Sequence, residues 1–529
     1  MLNLLNSLIK LINRTYLAKF DLKSSKVSKY LFFLQKEKNL NMTDLEKYFE
    51  KFRNNIIGNR HIHKTVFGEK PIIYGDWIAS GRLYTKIEEK IQNIIGPFVA
   101  NTHTESNTTG SLMTNAYHQA KQIIKKHVNA DENDVLITPG FGMTAAVVKL
   151  QRILGLKICG KLSGKECIDK SERPVVFITH MEHHSNQTSW YETIAEVVIL
   201  EHDENLLVDL NDLENKLKQY EDRKYKFASF TSCSNVTGVH TPIHKMAALM
   251  HKYGGWCFVD YAGSAPYEEI NMHPENYEER LDGIFFSPHK FLGGPGASGV
   301  LIFNKNLYNS KSPDHPGGGT VEWTNPWGEY QYLKDIEARE DGGTPGFLQA
   351  IRTALSIQLK EEMGCKNIID REKEILKKLF AEFDKIQNLK ILANNVRDRL
   401  GVISFYIEDV HYNLIVKLLN DLYGIQVRGG CACAGTYGHY LLNVSHEKSS
   451  EITAKISSGD LSEKPGWIRL SIHPTMTNKE IDEITDAIKY IAANHKTLSK
   501  DYIYNKSNNE FQHKNNFDLS QDFLNDIFS

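Results

Sequence analysis

Cysteine is scarce in this chain: seven residues in 529, at Cys159, Cys167, Cys233, Cys257, Cys365, Cys431 and Cys433. An odd, scattered set excludes a dense disulfide framework and fits a reducing, cytoplasmic compartment. Long apolar runs are also missing; none reaches the roughly eighteen residues of a transmembrane helix. Neither sign of charge dominates, since 63 Lys and Arg against 65 Asp and Glu leave a formal net charge of −2. That balance points away from nucleic acid and from anionic membrane surfaces. No Walker-type Gly-Lys-Ser/Thr ending or full dinucleotide fingerprint appears. Near the His183-His184 pair no further Cys or His recurs at zinc-ligand spacing, so no metal site is expected. Small-molecule chemistry or protein partners remain.

A hydrophobic content of 41% and a charged content of 24% are globular values, and the chain is too long for one ordinary core. Residues 1–41 form a basic extension in which eight Lys or Arg face only Asp21 and Glu37. An organelle-targeting helix, a peripheral membrane helix, or codons read from a start placed too early all fit it. The extension is therefore expected to be either not native or loosely ordered. Residues 42–104 make an N-terminal segment opening with "MTDLEKYFEKFRNNIIG", where Thr43 or Asp44 suits a helix cap. Residues 498–529 are a polar tail rich in Asn and Lys, expected to be loosely ordered.

The middle of the chain has a regular rhythm. "DVLITPG", "PVVFITH", "EVVILE", "FASFTSCSN", "GWCFVDYAG", "GIFFSPHK" and "SGVLIF" are short apolar runs bounded by turn signals. Helical patterns such as "MTAAVVKLQRIL" and "TPIHKMAALMHKYGG" lie between several of them. Strands that are apolar throughout and alternate with helices predict an α/β fold with a seven-stranded, mostly parallel sheet covered on both faces. This large domain is assigned to residues 105–335. After "DGGTPG" two long helical stretches precede the strands "GVISFYIE", "GIQVRGG" and "GWIRLSI" and a last helix from Asn478. They predict a smaller C-terminal α+β domain over residues 345–497.

Functional groups in open α/β sheets gather at the carboxyl ends of the strands. Those ends read "TPGFGMT", "THMEHHSN", "TSCSNVTG", "VDYAGSAP" and "SPHK". Gly142, Met143 and Thr144, running from a strand into a helix, offer amide donors and a hydroxyl suited to a single phosphate. Asp260 ends an apolar strand, and a buried carboxylate calls for a cationic partner such as a protonated pyridine nitrogen. Lys290 offers an amine for an aldehyde, with Ser287 and His289 beside it to help hold a phosphate. Aldehyde, pyridine nitrogen and phosphate together describe pyridoxal 5′-phosphate.

The ordered set "MEHHSN", "SNVTG", "VDYAGSAP", "SPHK", "GGTPG", "VRGGCAC" and "WIRLSI" resembles the class V aminotransferase group of fold-type I pyridoxal phosphate enzymes, in its cysteine desulfurase and selenocysteine lyase branch. The resemblance runs from about Tyr74 to Asn494. It implies that Lys290 bonds the cofactor aldehyde and shuttles protons, that Asp260 partners the ring nitrogen, and that His183 stacks on the ring. It further implies that Asn235 donates to the ring hydroxyl oxygen and that Arg469 binds the substrate carboxylate, a role suited to a planar fork.

The cysteine pair in "VRGGCACAG" points to the branch. Cys433 aligns with its sulfur-accepting thiol, and Arg428 supplies a nearby positive charge for a thiolate. For Cys431, relay of sulfur, protection of Cys433 and no role at all stay open; packing of both cysteines, or metal chelation by the Cys-x-Cys pair, is the plain alternative. In "HPGGGTVEW", Gly319 and Thr320 resemble a loop passed across a dimer interface, which implies that Thr320 reaches a partner's phosphate in a homodimer. Three departures put the substrate in doubt. Gly263 stands where the branch has a glutamine, the phosphate turn reads Phe141-Gly142-Met143-Thr144, and residues 443–466 separate the cysteine loop from Arg469. The form "RGGCAC" followed by a long insertion resembles molybdenum-cofactor sulfurases as much as housekeeping desulfurases. The expected activity is release of sulfur or selenium from L-cysteine or selenocysteine to give alanine, by way of a persulfide on Cys433 and with a possible sulfur-acceptor protein. Two rivals stay open: a class V aminotransferase, lyase or epimerase that uses neither cysteine, and a non-catalytic sulfur-binding protein that retains the fold.

Overall fold

Every residue of the strand Val175–Ile178 is buried, yet its side chains divide between two cores: Val175 and Phe177 enter one, Val176 and Ile178 the other. A strand with an apolar residue at each position can be satisfied only inside a sheet covered on both faces. The structure, a computed structural model, describes residues 43–102, 104–157, 168–515 and 520–529. The basic extension, Cys159 and Cys167 lie outside the described residues. A unit ending at Tyr48 is followed by a second, Phe49–Ser529, which carries the sheets and the site. Within the first unit, Thr43 Oγ1 accepts from Glu46 N at 3.2 Å, as expected of a helix cap.

The large sheet has seven strands: β1 (Asp134–Ile137), β2 (Val175–Ile178), β3 (Glu196–Ile199), β4 (Lys226–Thr231), β5 (Trp256–Asp260), β6 (Gly283–Phe286) and β7 (Val300–Asn304). Their order is β1-β7-β6-β5-β4-β2-β3. Strands β2 to β6 pair in parallel, and β7 runs antiparallel to both its neighbours. Helix α1 (Thr108–His127) places Ile124 in one core beside Met246 and Met250. Helix α2 (Met143–Ile153) lays Ala146, Val147, Leu150 and Ile153 into the other. Each such large apolar side chain contributes about 1.5–3 kcal/mol on full burial. The expected seven-stranded, mostly parallel sheet and all seven of its predicted strands are present.

Helix α3 (His184–Tyr191) follows β2. Beyond the sheet, the expected long helices are α4 (Phe347–Met363) and α5 (Cys365–Phe383). A four-stranded antiparallel sheet follows, built from β8 (Leu389–Ile391), β9 (Val402–Ile407), β10 (Arg428–Gly430) and β11 (Trp467–Ser471) in the order β8-β9-β11-β10. Helix α6 (Tyr412–Tyr423) lies between β9 and β10, and α7 (His446–Ser457) occupies the insertion before β11. The run "GIQVRGG", expected as one strand, is two: Ile425–Gln426 pairs in parallel with Ile73–Tyr74 before β10 joins β11. The polar tail also differs from expectation. Strands β12 (Tyr502–Asn505) and β13 (Glu510–His513) form a hairpin, because buried Tyr502 donates to Asp421 Oδ2 at 2.9 Å and buried Asn509 donates to Tyr412 Oη at 2.7 Å. These two side chains anchor a segment whose composition alone reads as disordered.

The pairing at Ile73 draws residues 73–81 across the small sheet as a strap. Ile78 N donates to Ser471 Oγ at 3.0 Å, and Gly81 N donates to His289 O at 2.9 Å. A Cβ on Gly81 would collide with the Phe291 carbonyl and stand 3.0 Å from Lys290 O. Gly81→Ala is therefore expected to lower stability by about 1–3 kcal/mol through overpacking, read as a lower thermal unfolding midpoint. Gly318→Ala is the control, since nothing lies within 4 Å of its added Cβ. Equal midpoints for the two variants would show that the strap is not seated against the Lys290 turn.

Candidate active site

A cavity of about 200 Å³ opens at the carboxyl ends of β2, β4, β5 and β6. Its lining includes Met143, Thr144, His183, Asn235, Asp260, Ser287, His289, Lys290, Arg428 and Arg469. These residues lie up to 326 positions apart in sequence, from Met143 to Arg469. The parallel strand order brings most of them together, and the small sheet adds the two arginines.

One side of the cavity is made of uncharged donors. Gly142 precedes α2 with φ +101°, and a Cβ there would stand 3.0 Å from Ser287 Oγ. This close approach lets Met143 N donate to Ser287 Oγ at 2.8 Å. Thr144 Oγ1 and Ser185 Oγ lie 2.7 Å apart. Burial, followed by the neighbouring Lys290, pushes His289 down to about 4, so its ring is neutral near pH 7. Amides at a helix start with three hydroxyls and a neutral imidazole suit an anion.

The floor carries opposite charges. Burial pushes Asp260 up to about 6, although Ala262 N donates to its Oδ1 at 2.8 Å and Lys290 opposes the rise. Burial pushes Lys290 down to about 8, with Asp260 acting the other way. A lysine shifted that far is partly unprotonated near neutral pH and can act as a nucleophile.

His183 caps α3: its Nδ1 accepts from Ser185 N at 3.1 Å. That bond leaves the ring proton on Nε2, and burial with Lys290, His184 and the two arginines pushes the imidazole down to about 3. His184 turns the other way. Its backbone N donates to Cys433 O at 2.7 Å, and its Nε2 accepts from Gly435 N at 2.9 Å. Ala432 and Cys433 both hold positive φ, 51° and 57°, an arrangement unfavourable for side-chain-bearing residues. Besides His184, Asn235 Nδ2 secures this loop by donating to Ala432 O at 2.7 Å.

The roles of Asn235 and Arg469 look different in three dimensions. Because a carbonyl accepts only a donor, Asn235 must turn its Nδ2 to Ala432 O, which leaves its buried Oδ1 without a partner in the chain. It presents an acceptor where a donor was expected. Arg469 Nη2 donates to Asp76 Oδ1 at 2.7 Å, and Nη1 to Asn235 O at 3.3 Å. Arg428 Nη2 stands 4.0 Å from Cys433 Sγ. Cys433 itself is half-buried and is not among the residues that line the cavity. Thr320 is not brought to the cavity of its own chain; it is buried, and its hydroxyl donates to Gly317 O at 2.7 Å.

Sequence reasoning missed Asp76, Ile78, Ala79, Ser185 and Thr231. Ser185 was within reach, since it belongs to "MEHHSN" and follows the strand end. The strap residues carry no strand-end signal, because they enter the site from the opposite domain edge.

The sequence profile of the aminotransferase class-V family matches residues 73–484. The chain is 27% identical over 369 residues to a probable cysteine desulfurase of Halalkalibacterium halodurans, covering 69% of this chain and 84% of that protein. A probable cysteine desulfurase of Staphylococcus aureus is 25% identical over 426 residues, covering 79% and 92%. Among solved structures, the cysteine desulfurase from Thermococcus onnurineus shares the fold with a TM-score of 0.66 at 22% identity, covering 84% of this chain and 98% of that one. A cysteine desulfurase from Escherichia coli gives 0.63 at 19% identity, with the same coverage. The profile match spans well over half of the residues, and the chain belongs to the class V aminotransferase family.

Proposed function

We propose that this protein is a pyridoxal 5′-phosphate-dependent enzyme of the cysteine desulfurase and selenocysteine lyase type, releasing alanine from L-cysteine or selenocysteine. The observation that carries the reading is one cavity holding Lys290, Asp260 and an uncharged anion cradle, with Arg428 in its wall 4.0 Å from Cys433 Sγ.

The residues present fit the cofactor. The Gly142 turn is cut close enough for an anion, and the buried Asn235 Oδ1 lacks a partner that a bound group would supply. Gly142, Met143, Thr144, Ser185, Ser287 and His289 would hold the phosphate, Asp260 the ring nitrogen, His183 the ring face and Lys290 the aldehyde carbon. When bound, pyridoxal phosphate supplies an electron sink at the substrate α-carbon. Lys290, pushed down to about 8, takes and returns the α-proton near neutral pH. Arg469 orients the substrate carboxylate. Cys433 Sγ, as thiolate, forms an S–S bond to the substrate sulfur as the C–S bond breaks. The electron pair left on carbon takes up a proton to give alanine, and a thiol reductant or acceptor protein then removes the sulfur from Cys433.

A homodimer completes this reading. Trp323, Trp327 and Tyr330 stand exposed on a hairpin, and Phe141 is 84% exposed beside the cavity. Exposed aromatics of this kind mark an interface, and a second copy of this chain is the occupant proposed for it. Among the described residues no helix is long and apolar enough to cross a membrane, and the described cysteines are all free. The free thiols fit the reducing, cytoplasmic setting proposed here.

With L-cysteine and a reductant, the cofactor-loaded protein should yield alanine and sulfide in equal amounts. Cys433→Ser should lose both by at least about a hundredfold while keeping the yellow colour, and Lys290→Ala should lose colour and turnover together. Cofactor retention without either product, or full activity in Cys433→Ser, would sink the sulfur mechanism.

The rate at which cofactor-free protein takes up pyridoxal phosphate should rise with pH and level off above about 8, because only the neutral Lys290 amine reacts. In Asp260→Asn the midpoint should move lower, since Asp260 favours the protonated amine. A midpoint near that of ordinary lysine would refute the buried assignment of Lys290.

A further inference from the structure

We propose that Asp76 is a specificity-determining residue: seated on Arg469, it restricts the cavity to amino acids with a single carboxylate. The inference rests on the reading of Arg469 as the group that binds the substrate carboxylate.

Arg469 and Arg428 are directly opposed across β11 and β10. Like charges in that relation repel, and Arg469 is buried, with 3% of its side chain exposed. Asp76 Oδ1, 2.7 Å from Nη2, is the carboxylate that offsets this placement. Of the five N–H donors of the guanidinium, one goes to Asp76 and one to the Asn235 carbonyl, while buried Nε has no partner in the chain. Arg469 thus has two of its five donors committed before any substrate arrives, with donors left for one incoming carboxylate.

The Asp76 backbone is held in place beside Arg469. It bridges to Ser471 in parallel register, and its carbonyl accepts from Tyr74 Oη at 3.2 Å and Ala79 N at 3.0 Å. Of the other cations of the cavity, Lys290 has buried Asp260 as a nearby counter-charge, and Arg428 Nη2 stands 4.0 Å from Cys433 Sγ. A first carboxylate completes Arg469. A second would sit in the field of the Asp76 carboxylate, one guanidinium away. The predicted substrate class is α-amino acids with a single carboxylate, and dicarboxylic amino acids are excluded.

L-asparagine and L-aspartate are close to isosteric and differ by one charge, and neither carries sulfur to be removed. Binding of each to the cofactor-loaded protein is measured by titration calorimetry and by the change in visible absorbance. Wild type should prefer asparagine by about tenfold or more, the scale of one charge interaction at intermediate dielectric. Asp76→Asn should bring the ratio close to one, and Asp76→Glu should restore the preference. Thermal unfolding of each variant reports whether it is folded, and the Glu variant keeps the test valid if the Asn variant is not.

An unchanged ratio in folded Asp76→Asn, loss of the preference in folded Asp76→Glu, or no asparagine preference in wild type, undetectable binding included, overturns the assignment. If L-cysteine turnover is intact in that case, the desulfurase reading survives. If turnover is absent too, both fall.

Discussion

The arrangement depends on the hydrogen bonds that tie His184 to the cysteine loop. His184 N–H to Cys433 O and Gly435 N–H to His184 Nε2 join the start of a large-sheet helix to a loop of the small sheet. Two successive residues in the left-handed region, Ala432 and Cys433, cost on the order of 1–2 kcal/mol each and persist only where surroundings over-determine them. The Asn235 bond to Ala432 O provides the third restraint. Adjacent histidines therefore divide the labour. His183 faces the cavity while His184 fixes the thiol-bearing loop beside it, so any shift of α3 moves both sides of the site together.

Beneath that turn lies a second constraint, the burial of charge. Glu182 is fully buried and accepts from Thr179 Oγ1 at 2.7 Å, Thr231 N at 2.9 Å and Asn186 Nδ2 at 2.7 Å. Burial still pushes it up to about 8, and Asp260 adds to the rise. Thr231 is the register partner of Asp260, so this network locks the strand ends that carry the site. The same desolvation raises Asp260, lowers Lys290 and keeps His183 and His289 uncharged. The side of the cavity suited to an anion consequently offers amides and hydroxyls rather than cations of this chain. The cavity's two arginines stand apart from that side, Arg469 on Asp76 and Arg428 beside Cys433.

The large sheet was legible because strands buried on both faces leave a near-continuous apolar signature, and each ends in polar residues that have no packing purpose. Lys290, Asp260 and Ser287 were legible for that reason. Asp76 was not, since its importance comes from a strap that crosses to β11, and pairing of Ile73–Tyr74 with Ile425–Gln426 leaves no local pattern. Asn235 was placed in the site, but its orientation depends on a carbonyl from a distant loop, which a single sequence does not reveal. The C-terminal hairpin was misread for a related reason. Composition reports average hydrophobicity, whereas Tyr502 and Asn509 hold the hairpin through individual bonds.

That hairpin and the insertion before β11 form one brace. Asn509 takes part in three bonds: its Nδ2 donates to Tyr412 Oη at 2.7 Å, its carbonyl accepts from Asn413 Nδ2 at 2.6 Å, and its Oδ1 accepts from Tyr504 Oη at 2.8 Å. Tyr412 in turn donates to Lys464 O at 3.2 Å, and Leu461 N donates to Lys506 O at 2.9 Å. The residues leading into β11 are thereby fastened to α6 and to the hairpin at once. A long insertion between the cysteine loop and Arg469 would otherwise leave two site residues joined by a slack tether. Because loop closure costs only slowly more with length, the insertion is tolerable provided its exit is fixed. The hairpin supplies that fixation, which is why a segment beyond the family match is packed against the domain that carries the thiol.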